Sequence, residues 1–322
     1  MKKTLALPAL LCALASGAFS STAQAAWPDD KPIELVVGFA PGGGTDVMAR
    51  LLARYTEKRL GEKARIIVIN KPGAGGELAA AFTENAKADG YTLGMINVPG
   101  YVFMPLYKKT AYQPEHIRLI ARLVDDPLVL IAKRGSSVPP TLTAIVDTLK
   151  KKPASLSFGH SGDGTTGHIA LMQLEEQQSV KATSVPFKGA SEARLALLGG
   201  HIDYALITTG EVPDLDDPKS PVQALAQLSD KRGKNDVPTG VEQGFPVRMA
   251  SERGIGAPGA LPDDIAAKLE AAIGQTLRDP EFLAAAKNDA PVLAFLPGAQ
   301  WTKSLEANRV ALKPLAPRMV DR

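Results

Sequence analysis

Short apolar runs and helical apolar stripes alternate along most of this chain, with glycine-rich turns at the junctions. Residues 33–37 read Ile-Glu-Leu-Val-Val, a run of strand length. The turn that follows is Gly38-Phe39-Ala40-Pro41-Gly42-Gly43-Gly44-Thr45-Asp46. Val47, Met48, Leu51, Leu52, Tyr55 and Leu60 then fall on one face of a helix, which Thr45 or Asp46 can cap and Gly61 ends. A second run at 65–69 leads into Asn70-Lys71-Pro72-Gly73-Ala74-Gly75-Gly76 and a helix over 77–87, and a third strand follows at 91–96. Strand–helix–strand–helix–strand in this order predicts a parallel sheet covered by helices.

The pattern returns at residue 156. A short strand at 156–158 precedes Gly159-His160-Ser161-Gly162-Asp163-Gly164-Thr165-Thr166, and residues 167–178 form a helix. Then come a strand at 182–187, the turn Lys188-Gly189-Ala190-Ser191, a helix at 192–198 closed by Gly199-Gly200, and a strand at 201–207. In each half the second strand–turn–helix lies about thirty residues after the first. The unit is too long for a solenoid repeat and predicts two similar α/β lobes. Between the halves, apolar runs at 119–124 and 127–131 are separated by Asp125-Asp126. After a further strand at 222–227, residues 253–257 return the chain to the first lobe. Two chain crossings, at about 124–127 and 250–254, are expected to make a hinge. Pro262 opens a helix with Ile265, Leu269, Ile273 and Leu277 in register, and a last helix carries Trp301, Leu305 and Leu312.

Composition narrows the class. With 322 residues, 45 % hydrophobic and 22 % charged, the chain has the length for two ordinary domains and a sizeable core. Lys2 and Lys3, an apolar stretch over 5–18 and Ala23-Gln24-Ala25 predict a Sec-type signal peptide over 1–25. The apolar stretch is too short for a membrane anchor, and Leu11 before Cys12 is too large for a lipoprotein signal. Cleavage near Ala25 takes Lys2, Lys3 and the one cysteine, leaving 35 basic against 34 acidic residues, so the formal charge falls from +3 to +1. That excludes thiol and disulfide chemistry in the mature chain and argues against a nucleic-acid partner. An exported, cysteine-free chain points to the bacterial periplasm.

Three glycine turns carry the candidate chemistry. Each opens a helix, where backbone N–H groups lack intrahelical partners and can hold an anion. For Pro41 to Asp46, anion capture and a plain capped turn are both open on the turn alone; an added side chain at Gly42 or Gly43 is expected to block an anion cradle. No Gly-Lys-[Ser/Thr] follows and Val47 breaks Gly-x-Gly-x-x-Gly, so neither a P-loop nor a dinucleotide fingerprint is present. Gly73 to Gly76 adds a second turn beside the first, at the carboxyl ends of strands where open α/β sheets bind ligands. The third turn offers the hydroxyls of Ser161, Thr165 and Thr166. A nucleophile elbow at Ser161 needs glycine at 163, where the chain has Asp, so a serine hydrolase is a distant alternative to a second anion cradle. His160 and His168 have no third ligand at metal spacing, and no metal or cofactor is expected. Lys188 reads either as a cation near the cleft or as a solvated turn lysine.

The ordered motifs Phe39-Ala40-Pro41-Gly42-Gly43-Gly44-Thr45-Asp46, Asn70-Lys71-Pro72-Gly73-Ala74-Gly75-Gly76, Ala88-Asp89-Gly90-Tyr91-Thr92-Leu93, Val185-Pro186-Phe187-Lys188-Gly189 and Leu198-Gly199-Gly200-His201-Ile202-Asp203 resemble the Bug family. Val237-Pro238-Thr239 and Ala257-Pro258-Gly259 with Leu261-Pro262 match its return segment. These are the periplasmic receptors of tripartite tricarboxylate transporters, and the resemblance covers nearly the whole mature chain. It implies a two-lobed type II periplasmic-binding-protein fold, each lobe a mainly parallel sheet flanked by helices. Lobe 1 would comprise residues 26–124 and 251–322, lobe 2 residues 125–250, with the ligand between them. It implies a monomeric, non-enzymatic receptor that closes about a hinge on a small organic carboxylate and delivers it to membrane permease subunits; the same receptor feeding a sensor kinase is the alternative.

In such a receptor, backbone amides and ordered water from the first lobe hold one carboxylate. Carried over, Phe39, Ala40, Pro41, Gly42, Gly43, Asp46, Ala74 and Gly75 form the first-lobe site, and Ser161, Thr165, Thr166, Lys188 and Gly189 face it. Asp46 is expected to hold the loop or orient a water, since a free carboxylate facing an anion would repel it. The chain departs from the family at Glu77-Leu78-Ala79, at Asp163 inside the second cradle, and at 247–253, which lacks an aromatic residue. These departures bear on the ligand, not the fold. Loops around 97–103 and 208–212 are expected to set the ligand's length.

Overall fold

A computed structural model of the chain describes residues 27–320, apart from 213, 214, 216, 234, 235 and 288; the expected signal peptide lies outside the described residues. The first lobe begins with β1 (Ile33–Val37), α1 (Gly44–Leu60), β2 (Ile66–Asn70), α2 (Glu77–Glu84) and β3 (Thr92–Val98). β1 pairs in parallel with both β2 and β3. α3 (Gly100–Tyr107) follows, with Pro105 inside it. The apolar pattern does not single this helix out.

β4 (Ile117–Lys133) is one strand of 17 residues. The sequence pattern divides it at Asp125-Asp126, but the strand runs through both. Successive side chains point to opposite faces, so Asp125 is exposed while Asp126 is buried. The second lobe holds α4 (Leu142–Lys151), β5 (Ser157–His160), α5 (Thr166–Gln178), β6 (Thr183–Pro186), α6 (Ala190–Leu198), β7 (Tyr204–Thr208) and β8 (Val222–Gln227). β5 pairs in parallel with β6 and β7, so the order β6-β5-β7 repeats β2-β1-β3.

β9 (Ala250–Pro258) returns the chain, antiparallel to both β3 and β4. α7 (Asp263–Thr276), α8 (Pro280–Ala285), β10 (Leu293–Pro297), α9 (Gly298–Leu312) and α10 (Pro317–Val320) complete the chain. The full order is β2-β1-β3-β9-β4-β7-β5-β6, with β8 and β10 also on β4. The two parallel trios are therefore joined through antiparallel strands, because β4 and β9 carry the chain between lobes in opposite directions. β4 pairs with β9 as far as Pro127 and with β7 from Leu128 onward.

Each lobe has its own core. Leu35, Met48, Leu52, Leu93, Leu269 and Phe282 pack in the first, and Leu130, Ile145, Leu149, Phe158, Leu171 and Tyr204 in the second. A third cluster joins them: Ile169 and Met172 of α5 pack with Phe103, Trp301, Leu312 and Leu315.

Where the crossing strands lie side by side, a charged cluster is buried. Arg253 Nη2 of β9 donates to Asp126 Oδ2 of β4, and Asp289 Oδ1 lies 3.6 Å from the same nitrogen. From the second lobe, Thr209 Oγ1 and Gly210 N donate to Asp126 Oδ1 at 2.7 and 3.1 Å. Burial pushes the Asp289 carboxyl up to about 7 against the pull of Arg253, with Asp126 and Glu211 adding to the rise.

Asp126→Ala leaves Arg253 buried without its closest counter-charge. It is expected to lower the unfolding free energy by about 3–5 kcal/mol, read from urea denaturation at neutral pH; a loss within error of zero would contradict this. The raised Asp289 pKa means that the folded chain favours the neutral acid. Its stabilising contribution is complete below the unfolded value of about 4 and is lost as pH rises through about 7. Asp289→Asn should therefore gain stability relative to the parent as pH rises across that window, and a pH-independent difference would refute the assignment.

Candidate ligand-binding site

The first glycine turn is braced from behind. Asp46 is 3 % exposed; its Oδ2 accepts from Gly42 N at 2.9 Å, and its Oδ1 accepts from Arg50 Nη2 and Asn70 Nδ2, each at 2.8 Å. Burial opposes the ionised form, but the bonds from Arg50, Gly42 and Asn70 outweigh it and hold the carboxyl below its usual range. Gly42 has φ +80° and open space where a Cβ would sit. Its glycine therefore serves the left-handed turn, and a side chain there would strain the backbone; it would not fill a cradle.

Across the cleft, the rings of His160 and His168 stack with centroids 4.7 Å apart and planes 7° from parallel. His160 Nδ1 lies 3.0 Å from Gly162 O and its Nε2 lies 2.7 Å from Ser184 Oγ, while Gly164 N donates to His168 Nδ1 at 3.0 Å. The two imidazoles thus shape the turn at 162–164. Both His160 nitrogens meet groups other than Ser161, so the base–nucleophile contact of a hydrolase is not made. His160, Asp163 and His168 hold ligand-type atoms within 4.8 Å of one another. However, rings stacked face to face cannot aim their in-plane lone pairs at one ion.

The lobes meet through backbone. Ala40 N donates to Lys188 O at 3.0 Å, and Ser191 Oγ donates to Pro41 O at 3.3 Å. A Cβ on Gly75, whose φ is +65°, would meet Asp163 O at 2.6 Å, and one on Gly100 would meet Gly164 O at 3.0 Å. Only glycine lets the two lobes come this close.

Between these contacts lies a cavity of about 40 Å³, room for roughly three water molecules. Phe39, Gly43, Thr45, Gly75, Asn97 and Gly100 line it from one lobe, and Ser161, Thr165, Thr166, Gly167, Ala190, Thr208 and Glu211 from the other. Ser251 comes from β9, and Leu128, Leu206 and Ile207 are apolar wall. Four helices begin on this wall: α1 at Gly44, α3 at Gly100, α5 at Thr166 and α6 at Ala190. None has a side-chain cap; α2, α7 and α9 also lack one, while α4 and α8 are capped by Thr141 and Asp279, so what sets these four apart is that they begin on the same cavity wall. Thr165 has the right residue type, but its hydroxyl donates to Gly162 O. Four sets of first-turn N–H groups, and four positive dipole ends, therefore converge on one small volume.

Of the expected site residues, Phe39, Gly43, Gly75, Ser161, Thr165 and Thr166 line the cavity. Ala74 and Lys188 line an outer groove of about 530 Å³ with Asp163 and Lys108, and Phe39, Gly75 and Ser161 border both spaces. Ala40, Pro41, Gly42, Asp46 and Gly189 line neither: Ala40, Pro41 and Gly189 lie in the seam, Gly42 shapes the turn, and Asp46 braces it. Asn97, Gly100, Thr208 and Glu211 come from the two stretches that the sequence marks for ligand length, but these are not open loops: Asn97 ends β3, Gly100 begins α3 and Thr208 ends β7. Ser251 and Ala190 carry no such signal, and only strand pairing and helix packing bring them in.

The sequence model of the tripartite tricarboxylate transporter family receptor matches residues 48–313. The chain belongs to that family. It is 32 % identical over 279 residues to the UPF0065 protein in the gbd 5' region of Cupriavidus necator, covering 86 % of this chain and 84 % of that relative. The structure of the periplasmic binding protein BugD superposes with a TM-score of 0.82 at 27 % identity, covering 90 % of this chain and 97 % of that one. MatC from Rhodopseudomonas palustris with bound malate superposes with a TM-score of 0.79 at 28 % identity, covering 88 % and 98 %. The Bug-type resemblance and the periplasmic-binding-protein fold expected from the glycine motifs are thus both found. Among the described residues, no helix is long and apolar enough to cross a membrane.

Gly75→Ala should leave secondary structure intact but keep the lobes from reaching their present contact. Small-angle scattering is expected to give a larger radius of gyration than the parent under the same conditions; an identical radius would show that the seam tolerates the methyl group.

Proposed function

We propose that this chain is the solute-binding receptor of a tripartite tricarboxylate-type transporter, closing on a small organic carboxylate in the periplasm and passing it to the permease subunits. The convergence of four uncapped helix N-termini, drawn from both lobes, carries this reading. Each N-terminus acts like roughly half a positive charge, and together they favour an anion with no cationic side chain in the cavity wall among the described residues. Backbone amides around Gly43 and Gly75 take the carboxylate from one side, and Ser161, Thr165 and Thr166 add hydroxyl donors from the other. Lys188 borders the outer groove beside Asp163 and Glu192, and Lys108 there is paired with Glu77 at 2.5 Å, so the anion's hold comes from the inner cavity. Ala40, Pro41 and Gly189 seal the cleft, while Gly42 and Asp46 keep the first turn in shape.

In this reading residues 26–124 and 251–322 move as one lobe and 125–250 as the other, which the change of β4 partners at Pro127 and Leu128 supports. The mature chain works as a monomer and carries out no catalysis. Malate in the MatC structure supports a small carboxylate here too.

Isothermal titration tests the proposal. The protein is unfolded, dialysed and refolded to remove any carried ligand, then titrated with mono-, di- and tricarboxylates. Saturable one-to-one binding of at least one of them is expected, and no heat across the whole panel would sink it.

A further inference from the structure

The cavity wall is rich in donors except at one end. Glu211, in the turn after β7, reaches across to the N-terminus of α1, where a Cβ on Gly44 would collide with its side chain and meet Arg253 Nη1 at 2.6 Å. Glu211 Oε2 accepts from Thr208 N at 3.1 Å. Its carboxylate also has the Thr208 side chain and the Arg253 guanidinium for neighbours. On the facing lobe, Asn97 Nδ2 donates to Thr45 Oγ1 at 3.0 Å, which leaves Asn97 Oδ1 buried and without a donor. Two oxygen acceptors thus border one cavity from opposite lobes. A ligand carboxylate placed against them would meet oxygen with oxygen.

We infer that Glu211 and Asn97 form a donor-reading subsite: the ligand carries, beside its carboxylate, a hydroxyl or ammonium that donates to Glu211 Oε1 and Asn97 Oδ1. The receptor then selects hydroxy- and amino-carboxylates over plain carboxylates of the same length. This rests on the carboxylate-receptor reading and adds to it the identity of the ligand's second polar group. Glu211 and Asn97 share the cavity wall with Ser161, Thr165 and Thr166, so the donor sits on a carbon close to the carboxylate. Burial pushes the Glu211 carboxyl up, while Arg253 pulls it down and Asp126 opposes that pull. A donor from the ligand would offset the desolvation that the carboxylate meets in the closed cleft.

Succinate, L-malate and L-aspartate share a four-carbon diacid frame and differ at one carbon by hydrogen, hydroxyl or ammonium. Refolded parent is titrated with each, alongside Glu211→Gln, which keeps the shape, and Glu211→Leu, which removes the acceptor; circular dichroism confirms that both variants fold. The parent is expected to bind malate or aspartate at least about tenfold tighter than succinate, in line with one hydrogen bond to a charged group. Glu211→Leu should erase that ratio, and Glu211→Gln should reduce it most for aspartate. The ratio is taken within each variant, so a general loss of affinity does not imitate the effect. Equal binding of all three by the parent, or a preference that survives Glu211→Leu, overturns the subsite and leaves the carboxylate receptor standing. So does binding of a longer plain dicarboxylate such as adipate when none of the three binds. If no carboxylate binds at all, the receptor reading fails first and takes the subsite with it.

Discussion

Arg253 and Asp126 meet where two adjacent strands carry the chain between lobes, and much of the site is positioned from that contact. Both side chains are at most 1 % exposed. A lone charge at that depth would be unstable, so the pair holds only because its members stay together. Asp126 also accepts from Thr209 and Gly210, which begin the turn carrying Glu211, and it sits opposite Ser251 on β9. One buried carboxylate therefore fixes the crossing, one stretch of the cavity wall and the approach of the second lobe. Such pairs add little net stability over an apolar replacement; their effect here is on position.

The site built on this frame is mostly backbone. Gly75 and Gly100 bring chain against chain at the seam, and the cavity takes its field from helix ends in place of lysine or arginine. Side chains do the bracing. Asp46 and Asn70 hold the first turn, and stacked His160 and His168 hold the second. In the proposed receptor this division keeps ionisable groups away from the carboxylate at most points. Glu211 is the departure from it and, among the described residues, the only ionisable side chain in the cavity wall.

The same division explains how much could be read from the sequence. Glycine turns between strand-like and helix-like runs are local features, so both trios of parallel strands, their repeated order and the turns that face each other were legible. Asp46 was legible as a brace because an ionised carboxylate would not face an anion. β4 was harder: two adjacent aspartates look like a break, and only burial of one beside Arg253, 127 positions away, makes them strand residues. α3 begins at Gly100 and contains Pro105, which argues against a helix locally, and packing against α9 and α5 overrides that. Ser251 and Ala190 enter the wall through long-range pairing that no local pattern records. Lys188 reads as a cleft cation from its motif, yet Ala40 bonds to its carbonyl and its side chain borders the outer groove.

Closing the cleft has opposing terms. Ile169 and Met172 of α5 bury against Phe103 and Leu315, and Arg318 donates to Met172 O at 3.0 Å, so apolar packing and the C-terminal segment favour the closed arrangement. The uncapped N–H groups work the other way, since each donor taken from water without a partner costs about 1–3 kcal/mol. An anion in the cavity removes that penalty from several helices at once, while water alone satisfies the same groups better in an open cleft. Ligand capture and lobe closure then become one equilibrium, and its balance lies with the group that meets the helix ends. A fold that placed lysines there would bind anions open or closed. In the proposed receptor the binding field forms only when the second lobe arrives, which would tie what is bound to the shape presented to a partner.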